Sequence, residues 1–168
     1  MKVAFLDRDG TIIEDYEDEL WKNISEPVFI KGSIEALKII RQKGYEIIIV
    51  TNQYLINEGI ITIEQYHSFS NKFINKLMDN EIEILDIFHC PHSRKENCDC
   101  MKPKDGLIKM ALEKYPDIDL KDCFIVGDSI CDLQLGEKLG IKTFGIGIEN
   151  GKLNSLNIDS LMDIVNFI

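Results

Sequence analysis

The sequence predicts a doubly wound α/β domain, with helices on both faces of a Rossmann-like parallel sheet. Short apolar runs rich in β-branched residues are typical of strands buried on both faces. Five such runs occur, at residues 2–6, 47–50, 84–88, 124–126 and 142–146. Stretches with helical spacing of apolar residues lie between them. Strands that alternate with helices over short connections indicate parallel neighbours joined by right-handed crossovers.

Capping and stop residues mark the ends of the helices. The first helix is expected to end before Gly44, and a capping box of Thr62 with Gln65 opens the second. Pro116 stops the third helix, because proline cannot continue one, and Gly140 stops the fourth. The predicted helices cover about residues 34–43, 62–80, 105–115 and 129–139.

The composition indicates one soluble globular domain over residues 1–168. Hydrophobic residues make up 45% and charged residues 29%, and this length is enough for one core but not for two. The formal charge of −10 argues against a nucleic-acid or membrane partner. Without a secretory leader or an apolar run near the ~18 residues of a membrane span, we expect a cytoplasmic monomer. Two irregular stretches, residues 14–29 and 91–104, are expected to shape its site.

Two carboxylates, Asp7 and Asp9, follow the first predicted strand. Open α/β sheets bind ligands at the carboxyl ends of their strands. Carboxylates this close repel each other unless one is protonated or a cation lies between them. The pair therefore suits binding of a hard metal ion together with nucleophilic or acid–base chemistry. A turn built on Asp-Gly is the structural alternative.

Further polar residues follow the other strands. Thr51, Asn52 and Gln53, after the second strand, offer a hydroxyl and two amides as donors to phosphate oxygens, although such a triplet alone is usually a turn. Lys102 precedes the third helix and can place an ammonium group on a phosphate. Asp128 follows the fourth strand, either as a metal ligand or as the N-cap of the fourth helix. Their order along the chain predicts one site at the carboxyl edge of the sheet.

A separate metal site is predicted in the second irregular stretch. Cys90 and His92 form one closely spaced pair, and Cys98 and Cys100 form another. Three thiolates and an imidazole are a complete tetrahedral set for zinc. Four protein ligands leave no position for water, so we expect a structural ion that pins the loop before Lys102. A free reactive thiol or unrelated buried cysteines are the alternatives.

With these motifs the chain resembles the haloacid dehalogenase superfamily of phosphotransferases over nearly its whole length. The resemblance implies that Asp7 attacks phosphorus to form a phospho-aspartate, while Asp9 protonates the leaving oxygen and then activates water. Thr51 and Lys102 would hold the phosphoryl group. A magnesium ion would be bound at Asp7, Asp9 and Asp128.

The zinc loop, followed at once by Lys102, narrows the resemblance to one branch of the superfamily. That branch includes phosphatases of heptose 1,7-bisphosphate and of histidinol phosphate, and it lacks a large cap domain. It implies a phosphatase of a small phosphorylated metabolite, a heptose bisphosphate or related phosphosugar in carbohydrate metabolism. Histidinol phosphate is the alternative, and the five-residue gap between His92 and Cys98 also fits it.

Two positions depart from the pattern of that branch. Met101 and Glu58 stand where arginines are usual, and both changes remove phosphate-binding charge. A second substrate phosphate would therefore need another cation. The candidates are Lys22, Lys31, Arg94 and Lys104. Trp21 is either a stacking surface for a sugar or imidazole ring or an anchor of the fold.

Two other classes of protein are considered. A non-catalytic binding domain would require a damaged site, whereas Asp7, Asp9, Lys102 and Asp128 are all present. A polynucleotide 3′-phosphatase is another possibility because related folds do that work. The charge of −10 and the absence of an evident basic groove argue against it.

Overall fold

A six-stranded parallel sheet covered by helices on both faces forms the fold in the computed structural model, which describes residues 1–149, 151 and 153–168. The strand order is β3-β2-β1-β4-β5-β6. The strands are β1 (Val3–Leu6), β2 (Glu46–Asn52), β3 (Asp86–Cys90), β4 (Phe124–Gly127), β5 (Lys142–Ile146) and β6 (Leu156–Ile158). The helices are α1 (Ser33–Gln42), α2 (Ile63–Asp79), α3 (Gly106–Lys114) and α4 (Ile130–Leu139). The predicted doubly wound architecture is confirmed.

Alternation along the central strands divides the core into two layers. Ala4 and Leu6 of β1 face a cluster with α1 and α2, whereas Val3 and Phe5 face a cluster with α3. Strand β2 follows the same rule, because successive side chains of a strand point to opposite faces. Both faces of these strands are therefore buried, which explains why they read as continuous apolar runs.

All expected boundaries lie within two residues of those observed, and two differences from the expected set of strands are informative. The third strand lies at Asp86–Cys90 rather than at residues 84–88, so it reaches the cysteine cluster. Strand β6 was not expected; two of its three residues are exposed and it pairs only with β5. The capping box of Thr62 and Gln65 is present. Among the described residues, no helix is both long and apolar enough to cross a bilayer.

The chain reverses its direction of winding at β1. From β1 it proceeds outward to β2 and β3, then crosses back to β4 on the other side of β1. The carboxyl ends of β1 and β4 therefore flank the topological switch point, where ligands bind in open α/β sheets. The first irregular stretch lies near this edge and contains a 3₁₀ helix, Asp18–Asn23.

Candidate functional site

The switch point brings the first and last of the predicted motifs together. Asp7 directly follows β1, and its amide donates to the carbonyl oxygen of Val126 in β4 at 2.9 Å. Asp128 directly follows β4. Both carboxylates therefore project from neighbouring strand ends, and the expected gathering of these residues in one place is observed.

A buried lysine lies between two buried carboxylates. Lys102 Nζ lies 2.9 Å from Asp7 Oδ1 and donates to Asp132 Oδ1 at 2.6 Å. The side chains of Lys102 and Asp132 are only 2% and 0% exposed. Asp7 Oδ1 is buried, and its partner among the described residues is the Lys102 ammonium, with which it forms an ion pair. That oxygen retains the capacity to bind another group.

Burial and mutual repulsion shift the ionisation of this group. Burial raises the pKa of Asp7 to about 8, although Lys102 acts against it. Burial and the charge of Asp132 raise the pKa of Asp128 to about 6. Burial alone would lower the pKa of Lys102, but Asp132 and Asp7 outweigh it and raise that pKa. The lysine therefore stays charged, while Asp7 needs an additional cation to be fully ionised at neutral pH.

Three carboxylates are arranged as a set of oxygen ligands. Oxygens of Asp7, Asp128 and Asp132 all lie within 4.8 Å of one another. Carboxylate oxygens are the donors that Mg²⁺ prefers, so these residues fit a hard divalent cation. The alternative role of Asp128 as a helix N-cap is wrong. Ser129 caps α4, and its side chain accepts from the amide of Cys131.

Two glycines allow the carboxylates to approach the main chain. Gly10 has φ +77°, and a Cβ there would lie 1.9 Å from Asp128 Oδ2. A Cβ on Gly127 would lie 2.1 Å from Asp132 Cγ. Only glycine fits such close approaches, so the Asp-Gly after β1 is more than a turn.

Asp9 is held apart from the three-carboxylate set. Arg8, which is 1% exposed, donates to both oxygens of Asp9 at 2.8 and 3.0 Å. Gln53 Nε2 donates to Asp9 Oδ2 at 2.7 Å. The side chain of Asp9 is therefore engaged by these two residues in this structure, and its expected part in metal binding stays a prediction.

The end of β2 contributes one group to the site and one to its support. Thr51 is buried and its Oγ1 accepts from Gln53 Nε2 at 2.9 Å, which leaves the hydroxyl hydrogen for another acceptor. Asn52 donates to the carbonyl oxygen of Lys102 at 3.2 Å and accepts from its amide at 2.9 Å. Both ends of the Asn52 side chain thus hold the Lys102 backbone, and the expected phosphate contact of Asn52 stays a prediction.

The cysteine cluster forms a second candidate metal site. Cys90 Sγ lies 3.6 Å from Cys98 Sγ and 3.0 Å from Cys100 Sγ, and His92 Nδ1 lies 3.1 Å from Cys100 Sγ. Ligands of a tetrahedral zinc ion lie about 3.5–3.8 Å apart, given zinc–ligand bonds of about 2.0–2.3 Å. The four donors therefore converge at distances close to those of a zinc site. The loop carrying them leads directly to Lys102.

The residues of the switch point line a cavity of about 300 Å³. Lys102 lies at its buried side, and Trp21, Tyr54 and Arg94 contribute to its wall. The remaining lining residues are Asp7, Asp9, Asp15, Asp18, Thr51, Asn52, Gln53, Leu55, Met101, Asp128, Ser129 and Cys131. This space suits a small molecule with one end against Asp7 and Lys102.

From the sequence, no role was assigned to two residues that matter to this geometry, Asp132 and Arg8, and Gln53 was assigned to phosphate rather than to Asp9. Asp132, Arg8 and Gln53 each contact a predicted site residue. Asp132 had a readable signal, because Ser129 and Asp132 have the spacing of a capping box. Arg8 and Gln53 adjoin the motifs directly, but nothing in the pattern shows that they meet at Asp9.

The chain is similar to a family of phosphatases. The profile of the polynucleotide kinase 3 phosphatase family matches residues 2–139. A D-glycero-alpha-D-manno-heptose-1,7-bisphosphate 7-phosphatase of Photorhabdus laumondii is 41% identical over 148 residues, covering 84% of this chain and 79% of the relative. The beta-anomer counterpart of Haemophilus ducreyi is 33% identical and covers 99% of this chain and 98% of its own.

A solved structure shares the fold along nearly the whole chain. It is the D,D-heptose 1,7-bisphosphate phosphatase of B. bronchiseptica, complexed with magnesium and phosphate. Its TM-score is 0.86 at 24% identity, with 99% of this chain and 97% of that chain covered. At this identity the likeness establishes the fold, and it agrees with the family assignment from the sequence relatives.

Proposed function

This chain belongs to the polynucleotide kinase 3 phosphatase family, with the heptose-1,7-bisphosphate phosphatases as relatives, and we propose that it hydrolyses a heptose bisphosphate or related phosphosugar. It is a phosphatase of the haloacid dehalogenase type. We further propose that it acts in the cytoplasm as a monomer, on a small molecule and without a nucleic-acid or membrane partner. The formal charge of −10 supports the last point.

One observation carries this proposal. Asp7 has a buried carboxylate oxygen that lies 2.9 Å from the ammonium of Lys102, beside Asp128 in a small cavity. A carboxylate that is poorly solvated but flanked by cationic charge suits nucleophilic attack on a phosphate. The other four residues of the predicted motifs, Asp9, Thr51, Lys102 and Asp128, lie around it.

Hydrolysis proceeds in two steps in this proposal. Asp7 attacks phosphorus and forms a phospho-aspartate as the bond to the leaving oxygen breaks, and Asp9 gives its proton to that oxygen. Asp9 then takes a proton from water, which attacks the phospho-aspartate and releases phosphate and free Asp7. Lys102 and the hydroxyl of Thr51 neutralise and orient the transferred phosphoryl oxygens.

Magnesium is the proposed catalytic ion. When bound, it offsets the repulsion between a carboxylate nucleophile and a phosphate dianion. Asp7 and Asp128 are the proposed ligands from the sequence, with Asp132 available nearby as a further acidic group. Asp9 is proposed as a ligand as well, although its side chain is held by Arg8 and Gln53 here.

Zinc is the proposed ion of the cysteine cluster, with a structural role. Cys90, His92, Cys98 and Cys100 supply four donors and so leave no open position for a substrate or water. The loop they close ends at Met101 and Lys102. We propose that zinc thereby fixes the ammonium group that faces Asp7.

The experiment that tests this function is phosphate release with Mg²⁺ from a substrate panel. The panel contains heptose 1,7-bisphosphate, sugar monophosphates, histidinol phosphate and a 3′-phosphorylated oligonucleotide. We expect the highest kcat/KM for the bisphosphate. A preference for histidinol phosphate would move the function to the alternative within the same chemistry. Turnover of the oligonucleotide alone would refute the phosphosugar assignment.

The cavity itself argues against the oligonucleotide. Five aspartates and two cations line it among the described residues. Recognition of a nucleic acid needs cations along the path of its phosphates, because neutralising that backbone supplies most of the affinity. A small substrate with its phosphate at Lys102 needs fewer cations along the wall of this acidic cavity.

A further inference from the structure

A bisphosphate has two anionic ends, so its recognition calls for cations at both ends of the cavity. Lys102 lies at the closed end, with a side chain 2% exposed. Arg94 is the other lysine or arginine lining the cavity among the described residues, and its side chain is 54% exposed. The two cations thus occupy the buried part and the open part of one cavity.

The other candidate cations are placed elsewhere. Lys22 lines a neighbouring cavity behind Trp21. Lys104 donates to the side chain of Asn97 and to the carbonyl oxygen of Cys98, within the zinc loop. Lys31 is not among the described residues that line the cavity. Only Arg94, of the four suggested by the sequence, meets the space where a substrate would lie.

We propose that Arg94 binds the substrate phosphate that is not cleaved, and that Glu58 holds Arg94 in position for this contact. The inference rests on the proposed function and names the residue that selects a bisphosphate over a monophosphate. A guanidinium suits this role because its planar donors match phosphate oxygens in pairs. It adds a specificity residue to the site rather than a second reaction.

The contacts of Arg94 support a fixed and available guanidinium. Its Nε and Nη2 donate to the two oxygens of Glu58 at 2.9 and 2.6 Å, and Nη2 also donates to Asp18 at 3.1 Å. The guanidinium carbon of Arg94, Cζ, lies 4.2 Å from the ring centroid of Tyr54. None of the hydrogen bonds among the described residues uses Nη1, so that nitrogen is available to a phosphate oxygen.

Glu58 binds Arg94, a role that could not be inferred from its position in the sequence. It stands where the resembled branch has an arginine, so it removes a cation from one loop. Its carboxylate then accepts from both the backbone amide and the side chain of Arg94. Arg94 lies between two zinc-site residues, His92 and Cys98. In this proposal, Arg94 supplies the positive charge that an arginine at position 58 would otherwise provide.

The test compares two substrates in three variants. Arg94→Met keeps the stem over Tyr54 and removes the charge, Arg94→Lys keeps a charge without the fork, and Lys95→Met changes an exposed neighbour. The measured quantity is the ratio of kcat/KM for heptose 1,7-bisphosphate to that for heptose 7-phosphate. We expect Arg94→Met to lower this ratio about 10- to 30-fold through KM, as for loss of a partly exposed charged hydrogen-bond pair. Arg94→Lys should recover part of the ratio, and Lys95→Met should retain it.

The outcomes separate this inference from the function on which it rests. A wild-type enzyme that prefers the bisphosphate, together with an Arg94→Met variant that keeps the full preference, overturns the inference alone. A wild-type enzyme without that preference overturns the proposed substrate and the inference together. Zinc content and melting temperature, measured for each variant, establish that the loop carrying residue 94 is intact. Glu58→Ala should lower the ratio as well, by about threefold, since it removes the anchor but leaves the charge.

Discussion

Asp7 combines two properties that rarely coexist in one side chain. It is buried enough for its pKa to rise to about 8, yet a lysine ammonium lies 2.9 Å away. Desolvation makes the anion less stable and more reactive, and in the proposed mechanism Lys102 and a magnesium ion would offset that cost. The environment of Asp7 therefore suits the proposed attack on phosphorus better than it suits a stabilising surface ion pair.

Replacement of the proposed nucleophile gives the first prediction. Asp7→Asn should lower kcat about a thousandfold or more, because the amide cannot form the phospho-aspartate. The volume is nearly unchanged and Lys102 keeps its 2.6 Å contact with Asp132, so the fold should persist. Phosphate release and the thermal melting curve are the measurements. Asp79→Asn, at an exposed position at the end of α2, is the control. Undiminished turnover by Asp7→Asn would exclude the covalent mechanism.

The second prediction concerns Gly10, where a single added carbon atom would clash with Asp128. The Cβ of an alanine at this position would lie 1.9 Å from Asp128 Oδ2, far inside the contact distance of the two atoms. Gly10→Ala should therefore displace a proposed magnesium ligand and raise the Mg²⁺ concentration for half-maximal activity about tenfold or more. Phosphate release measured over a range of Mg²⁺ concentrations gives this value.

A matched glycine separates that clash from backbone strain. Gly140 also has positive φ, at +66°, but a Cβ there would meet nothing within 4 Å. Gly140→Ala should lose stability by about 1 kcal/mol from its backbone alone, with an unchanged Mg²⁺ requirement. Equal Mg²⁺ requirements in the two variants would contradict the proposed role of Asp128.

The gathering of the main candidate residues at one edge of the sheet was predictable, whereas the pairings of their side chains were not. Asp7, Thr51, Lys102 and Asp128 follow strands or precede a helix, and parallel topology brings such positions to one edge. Asn52 shares that location but holds the backbone of Lys102, because a loop fifty residues away supplies its partner. Pairings of this kind depend on side-chain approach in three dimensions, and chain spacing does not encode it.

The loop that carries the cysteine cluster would connect the proposed zinc site to the proposed catalytic site. It begins at the end of β3 with Cys90 and leads through Cys100 to Lys102. Hydrogen bonds from Asn52 attach its far end to β2. Without a metal ion, no binding free energy would offset the conformational entropy that the loop loses when three thiol groups and an imidazole are held together. The position of Lys102 should therefore depend on the ion.

Loss of one cysteine ligand should test that dependence. Cys98→Ser should release zinc and lower the melting temperature by roughly 5 °C or more, since a 168-residue protein loses about 2–4 °C per kcal/mol. Turnover should fall as well, because the loop no longer fixes Lys102. Metal analysis of freshly purified protein and differential scanning calorimetry are the measurements.

The control for that prediction is another cysteine. Cys131 lies in α4, outside the cluster, and Cys131→Ser should retain zinc in a one-to-one ratio. Absence of zinc from the wild-type protein would count decisively against the proposed ion. Retention of zinc by Cys98→Ser would remove that residue from the ligand set.

The strands were predictable from the sequence where both of their faces are buried. Strands β1, β2 and β4 are apolar because both faces are covered, and this leaves a clear pattern. Strand β6 has three residues with two exposed, so it carries almost no such signal. The third strand begins and ends two residues later than its apolar run predicts. Its last residue, Cys90, belongs both to the sheet and to the cysteine cluster. Apolar residues just before it, at Ile84 and Leu85, pack beside the strand rather than in it.

For the molecule as a whole, the acidic balance is compatible with its proposed substrate because the charge is locally arranged. The two cations of the cavity lie at its buried and open parts, and a bound divalent ion would add two further positive charges. In the proposed binding mode, an anionic substrate would meet positive charge at both of its phosphates, within a chain of formal charge −10.

The buried carboxylates should also make the stability of the whole protein depend on pH and magnesium together. Burial raises the folded-state pKa of Asp7 to about 8 and of Asp128 to about 6, whereas both titrate near 3.8 when unfolded. Between these values the folded state without magnesium binds more protons than the unfolded state, so its stability falls as pH rises from 6 to 8. Magnesium, which binds the deprotonated carboxylates, should reverse this loss.

The expected result is a larger stabilisation by magnesium at the higher pH. Saturating Mg²⁺ should raise the melting temperature about 3 °C more at pH 8 than at pH 6, because protons compete with the ion for Asp7 and Asp128 at the lower pH. Asp7→Asn should reduce this pH dependence, since it removes the group with the higher pKa. An equal shift at both pH values in the wild-type protein would mean that the ion binds elsewhere, because only ligands that titrate in this range make the stabilisation sensitive to it.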